Sequence, residues 1–169
     1  NARFMGLNLL VELDMVNEYY IDRELKKLYL HKDADVTSIT ISKPGSVITM
    51  EEGVENVAIR NLTAMYSQDD IFNAPGVVNN VEISGTKMRH GGANAIDITG
   101  RDNAIVGNVF SGFSCKGVSF QGPDGDRNTL TSSGNVFVNN KVSDYGRWVR
   151  TYSAGLSFGG VSLFIAENE

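Results

Sequence analysis

The chain has 169 residues, 41% hydrophobic and 21% charged, which is the balance of a globular domain and excludes a disordered one. Its net charge of −5 disfavours a general nucleic-acid binder, which needs a basic face. No run approaches the roughly 18 apolar residues of a membrane span, and the single cysteine, Cys115, excludes a disulfide framework or a Cys-rich metal site.

Residues 1–45 read as a separate module, poor in Gly and Asn and rich in charge. Residues 9–13 suit a short helix or strand. Glu18-Tyr19-Tyr20-Ile21 and Leu28-Tyr29-Leu30 suit a hairpin with residues 23–27 as its turn. Val36-Thr37-Ser38-Ile39-Thr40-Ile41 alternates apolar and polar and predicts a half-buried strand. Ser42-Lys43-Pro44-Gly45 is a turn signal.

Residues 46–169 repeat. The whole chain carries 18 Gly, 16 Asn and 17 Val against 3 Pro, so turn and strand residues dominate. One six-residue frame recurs as Asn56-Val57-Ala58-Ile59-Arg60-Asn61 and Asn80-Val81-Glu82-Ile83-Ser84-Gly85. It returns as Asn103-Ala104-Ile105-Val106-Gly107-Asn108, Asn135-Val136-Phe137-Val138-Asn139-Asn140 and, more weakly, Leu163-Phe164-Ile165-Ala166-Glu167-Asn168. A second short strand precedes most copies: Val47-Ile48-Thr49-Met50, Ala95-Ile96-Asp97-Ile98, Gly117-Val118-Ser119-Phe120 and Gly155-Leu156-Ser157-Phe158. A propeller blade is too long for this period, and a leucine-rich repeat wants Leu at fixed places with a helical segment. The pattern predicts an all-β chain: a right-handed parallel β-helix of about five coils. Apolar positions would stack as ladders, and an inward Asn at the end of each frame would bond the next coil. On that reading Asn61, Asn108, Asn140 and Asn168 are ladder residues, and the Asn61-Leu62-Thr63 sequon is hidden from glycosylation. The chain starts without Met or a signal pattern and ends without a cap, so it is expected to be a piece of a longer solenoid.

These residues resemble right-handed β-helix repeat proteins of the pectin lyase-like superfamily. The hairpin pattern E-L-D-x-P-G-E-W-Y-x-D…L-Y is echoed by Glu12-Leu13-Asp14-Met15-Val16-Asn17-Glu18-Tyr19-Tyr20-Ile21-Asp22 and Leu28-Tyr29, with Val16-Asn17 in place of Pro-Gly. Gly122-Pro123-Asp124-Gly125-Asp126-Arg127-Asn128-Thr129-Leu130 is similar to G-G-D-R-x-T-L, and Arg147-Trp148-Val149-Arg150-Thr151-Tyr152 to R-W-x-R-T-Y. The resemblance implies an extracellular, carbohydrate-active protein with a polysaccharide or glycan partner. It does not choose among lyase, hydrolase and non-catalytic adhesin-like or scaffold members.

The candidate residues follow from the alternation of a strand. With Ile96 and Ile98 inward, Asp97 points outward, as do Thr49, Ser119, Gln121 and Ser157 on equivalent strands. Asp97 is the first candidate for acid/base or binding work. Asp70, beside Asp69 and one coil earlier, would complete the carboxyl pair that glycosidic cleavage uses. Arg89 and His90, in Lys87-Met88-Arg89-His90, are candidates for proton abstraction in lyase chemistry, or else a charged turn. Ser119, Gln121, Arg147, Trp148, Arg150 and Tyr152 are the substrate-binding candidates: aromatic faces stack on sugars and Arg pairs with carboxylates. For Arg147, the alternative is an Asp144 pair in a packing loop. Asp124 and Asp126 are weak candidates for Ca²⁺, against a structural turn with an Asp126–Arg127 network.

Overall fold

A computed structural model describes residues 6–32, 36–42 and 44–169. Lys43 of the expected 42–45 turn lies outside them. The chain divides into two compact units, Asn1–Thr40 and Ile41–Glu169.

In the first unit, a single 3-10 turn at Leu10–Glu12 precedes the antiparallel pair β1 (Tyr19–Asp22) and β2 (Lys27–Leu30). Asp22 Oδ1 accepts the N–H groups of Glu24 and Leu25 at 3.0 and 2.8 Å, which fixes the turn between the strands. Asn8 bonds both backbone groups of Ile21, tying the preceding segment to β1. The strand expected at 36–41 is absent. Those residues pair with no strand among the described residues, and Ile39 and Ile41 are 56% and 71% exposed. Alternation supplies an apolar side to such a segment, but no neighbouring strand takes its hydrogen bonds.

The second unit is a parallel β-solenoid of about five turns. Its first coil holds β3 (Ile48–Thr49), β4 (Glu55–Arg60) and β5 (Thr63–Ser67). The second holds β6 (Phe72–Val77), β7 (Asn79–Ser84) and β8 (Lys87–Gly91), and the third β9 (Ile96–Thr99), β10 (Ala104–Val106) and β11 (Val109–Phe113). The fourth holds β12 (Val118–Gln121), the four-residue helix α1 (Asp126–Thr129), β13 (Val136–Val138) and β14 (Lys141–Ser143). The last holds β15 (Leu156–Gly159) and β16 (Phe164–Ala166). Three parallel sheets result. Sheet 1 stacks β3-β6-β9-β12-β15, sheet 2 stacks β4-β7-β10-β13-β16 and sheet 3 stacks β5-β8-β11-β14.

The inward columns form the core. Ile83, Ile96, Ile98, Ile105, Met88, Phe72, Phe110 and Phe120 are fully buried. The register Ile59–Ile83–Ile105–Phe137–Ile165 shows where the repeat frame slips by one place. Asn61 shares its register position with Gly85, Gly107, Asn139 and Glu167. All five have φ between 55° and 67°, and Asn61 is exposed. It is a left-handed corner, which Asn and Gly tolerate, and not a ladder residue. The sequon it heads is therefore on the surface. The buried ladder runs one place later, through Thr86, Asn108, Asn140 and Asn168. Asn108 Oδ1 accepts Thr86 N and Oγ1, both at 2.8 Å, while Asn108 Nδ2 donates to Ile83 O and to Asn140 Oδ1. A second ladder, unforeseen, enters sheet 2: Asn135 Oδ1 accepts Asn103 N, and Asn103 Oδ1 accepts Val81 N. No buried side-chain N or O atom among the described residues lacks a partner.

Candidate functional site

Each sheet turns a different chemistry outward. Sheet 2 shows Ala104, Val106, Val136, Val138 and Phe164, with the Arg60–Glu82 ion pair on the lower coils. The Arg60 guanidinium and the Ser84 hydroxyl hold the Glu82 carboxyl down at about 2. Sheet 3 shows Lys87, Arg89 and Lys141. Sheet 1 shows the column Thr49–Asn73–Asp97–Ser119–Ser157, one residue per coil. Neighbours in a column stand about 4.8 Å apart, the strand spacing.

Asp97 is half-buried on β9, between the inward Ile96 and Ile98, as expected. Asn73, its register partner on the coil below, was missed, because Phe72–Val77 reads poorly as a strand. Gln121 belongs to a second outward column, Thr99–Gln121–Gly159, and donates to Ser157 O at 3.3 Å. Ser119 keeps its place in the Asp97 column but is only 7% exposed, so Asp97 and Ser157 meet a ligand before it does.

Asp70 sits at the turn entering sheet 1, where Asn94 and Lys116 hold the same place on the next two coils. Its Oδ1 accepts Asn94 N at 2.8 Å, and Asn94 Oδ1 accepts Lys116 N at 3.0 Å. Burial pushes the Asp70 carboxyl above the usual aspartate range; the Asn94 hydrogen bond opposes this, and the charges of Asp97 and then Asp69 add to it. An Asn at position 70 would make the same hydrogen bond without burying a charge. Asp70 thus costs stability at neutral pH. A carboxyl raised on folding stabilises fully below its unfolded value, about 3.9, and that contribution is lost as pH rises through the folded value. Asp70→Asn is accordingly expected to raise the melting temperature at pH 7 and to leave it unchanged at pH 3, as read by circular dichroism.

Arg89 and His90 do not join this site. Lys87–Gly91 is strand β8 of sheet 3, not a turn: Met88 is fully buried, and Lys87 and Arg89 flank it outward on another face. His90 occupies a left-handed corner (φ 56°) with its ring stacked on Tyr66, centroids 5.3 Å apart.

The two excursions flank sheet 1. In the 122–130 excursion, Asp126 is 2% exposed and grips Arg101, with Nη2 to Oδ1 at 2.5 Å and Nε to Oδ2 at 3.1 Å. Its ion-pair partner is thus Arg101 and not the expected Arg127. The guanidinium, 25 residues back, already satisfies both carboxylate oxygens. Asp124 is exposed, and among the described residues no group of three His, Cys, Asp or Glu side chains could hold a metal ion. Arg127 instead lies over Gly159 beside Gln121: a Cβ built on Gly159 would clash with its Nη2 and with Gln121 Oε1. It thus sets a cation at the edge of sheet 1, which no local motif announced.

The 144–155 excursion is pinned by its backbone: Arg147 N donates to Phe113 O, and the N–H groups of Trp148 and Val149 to Ser114 O. Arg147 Nε is 3.8 Å from Asp144 Oδ1, the alternative foreseen for it. Trp148 is half exposed. Arg150 and Tyr152 line a shallow depression of about 520 Å³ with Lys116, Ser153, Ala154 and Ser157, next to the top of the Asp97 column. Tyr152 is 94% exposed at φ 57°, a conformation costly for an aromatic residue and one that leaves its ring free in solvent.

The fold and this face define a parallel β-solenoid with a polar, partly acidic sheet surface bordered by cations. The chain matches no family model, no curated protein and no solved structure. Among the described residues, no helix is long and apolar enough to cross a membrane.

Proposed function

We propose that this chain is a coil segment of an extracellular, pectin lyase-like β-helix protein that binds a polysaccharide along sheet 1 and cleaves it at Asp70 and Asp97. One observation carries the reading. At a ladder position where the next coil uses Asn, the chain places a carboxyl that burial keeps protonated to higher pH, within reach of the Asp97 charge. A half-buried carboxyl that burial pushes up, beside a second carboxyl, is the kind of pair that glycosidic hydrolysis uses for its acid and its base. Protonated Asp70 would give its proton to the glycosidic oxygen as the bond to the anomeric carbon breaks. Asp97 would take a proton from the water whose oxygen bonds that carbon. Tyr152 offers a stacking face, and Arg150, Lys116 and Arg127 offer partners for sugar hydroxyls or acidic groups.

A second reading, glycan binding without chemistry, is favoured by the rest of the column. Apart from Asp97, it holds only Thr49, Asn73, Ser119 and Ser157. A panel of neutral and acidic polysaccharides, assayed with and without chelator, separates the two. New reducing ends without an ultraviolet-absorbing product are expected. An unsaturated product would instead mean lyase chemistry, and retained binding with no product would leave the non-catalytic reading. Neither binding nor product on any member would overturn the proposal.

A further inference from the structure

We infer a second, separate binding face on sheet 3 for an acidic polysaccharide. It uses different residues from the face proposed for cleavage and does not rest on that proposal. Sheet 3 carries two outward columns, Thr63–Lys87–Val109–Lys141 and Met65–Arg89–Ser111–Ser143. Lys87 and Arg89 alternate on one strand, about 7 Å apart, and both are exposed. Neither has a carboxylate partner among the described residues. Lys141 stands two rungs above Lys87, roughly 10 Å away, with Glu169 at 2.7 Å from its Nζ. In a chain of net charge −5, two unpaired cations side by side on a strand face form a local basic spot open to an anionic ligand.

The corner beside these columns adds a ledge of rings. Tyr66 and His90 take left-handed backbone at matching places on successive coils, and their rings stack with an interplanar angle of 7°. The next coil places Gly112 there, and a Cβ on it would meet His90 Nδ1 at 3.0 Å. The ring pair is thus seated on backbone and fixed in place. Met65 and Tyr66 remain 40% and 41% exposed, and Thr63 and Ser111 bring hydroxyls to the same face.

Flat rings, hydroxyls and a few spaced cations fit a chain of sugars bearing one carboxylate at intervals. Duplex nucleic acid presents a charge per about 1.7 Å and would demand a far denser cation set. The test is retention on immobilised polygalacturonate at low salt, with a neutral dextran resin and single-stranded DNA as comparison ligands. The wild-type chain is expected to bind polygalacturonate and be released by salt, to ignore dextran through this face, and to bind DNA less well. Lys87→Ser/Arg89→Ser is expected to weaken polygalacturonate binding roughly tenfold, the worth of two exposed ion pairs, with an unchanged melting temperature. Lys27→Ser/Lys32→Ser, the same loss of charge at two exposed positions that belong to neither face, is expected to bind as the wild type does. The inference is overturned by equal binding of the double variant, by no binding of wild type at low salt, or by tighter binding to DNA than to polygalacturonate. An equal loss of binding in Lys27→Ser/Lys32→Ser would mean that net charge, not this face, holds the ligand and would also overturn it.

Discussion

Replacing Asn108 by alanine is expected to destabilise the solenoid by about 3 kcal/mol or more. Each buried polar group left without its partner costs about 1–3 kcal/mol, and the change strands two. Thr86 N–H and Thr86 Oγ1 lose their common acceptor, while Ile83 O loses one donor and keeps its bond in the sheet 2 ladder. No water can replace the amide readily, because Thr86, Asn108 and Ile83 are all buried in the stack. For a domain of this size, such a loss lowers the melting temperature by roughly 6–12 °C. The matched control is Asn61→Ala. Asn61 is exposed, its side chain bonds no described residue, and the substitution costs only the left-handed backbone preference, within about 1 kcal/mol. Urea unfolding followed by circular dichroism distinguishes the two. Equal losses would mean that the ladder runs through Asn61 after all.

The second large effect concerns chemistry. Asp97→Asn is expected to reduce cleavage by about 10²–10⁴-fold, the usual worth of a general base, while binding persists because the amide still offers a hydrogen bond. The fold should be untouched, since Asp97 projects outward from a strand whose inward neighbours carry the packing. A second signature separates this role from a merely structural one. The Asp97 charge is among the groups that raise the Asp70 carboxyl, so its removal lets Asp70 deprotonate at lower pH. The alkaline limb of the residual activity should therefore move to lower pH. Unchanged cleavage in Asp97→Asn would remove Asp97 from the mechanism.

Much of the solenoid was legible because two of its three sheets write themselves in alternation. Ile96 and Ile98 about Asp97, or Val81 and Ile83 about Glu82, leave one arrangement with a dry core. Sheet 3 was hidden for a physical reason. In Lys87-Met88-Arg89-His90, a single inward Met88 is outnumbered by outward charge, and the segment looks like a turn until its neighbours supply the ladder. The frame slip has a similar cause. Asn serves both as a left-handed corner, at 61 and 139, and one place later as a buried cross-coil bonder, at 108 and 140. Composition registers both as Asn, and only the register through Ile59, Ile83 and Ile105 separates them. The face around Asp97 was legible from strand direction. The Arg101–Asp126 clamp and the placement of Arg127 were not, because each depends on a contact between coils with no local pattern.

The account rests on sheet 1 as the polysaccharide face. Its most direct test is an amide chemical-shift map of the labelled chain titrated with short oligosaccharides from the polysaccharide it binds in the panel. The expected result is a continuous track of perturbed amides along Asn73, Asp97, Ser119 and Ser157, reaching Asp70 on one side and Arg150 and Tyr152 on the other. Perturbations confined to Lys87, Arg89 and the Tyr66–His90 corner, or spread without order over all three sheets, would contradict it.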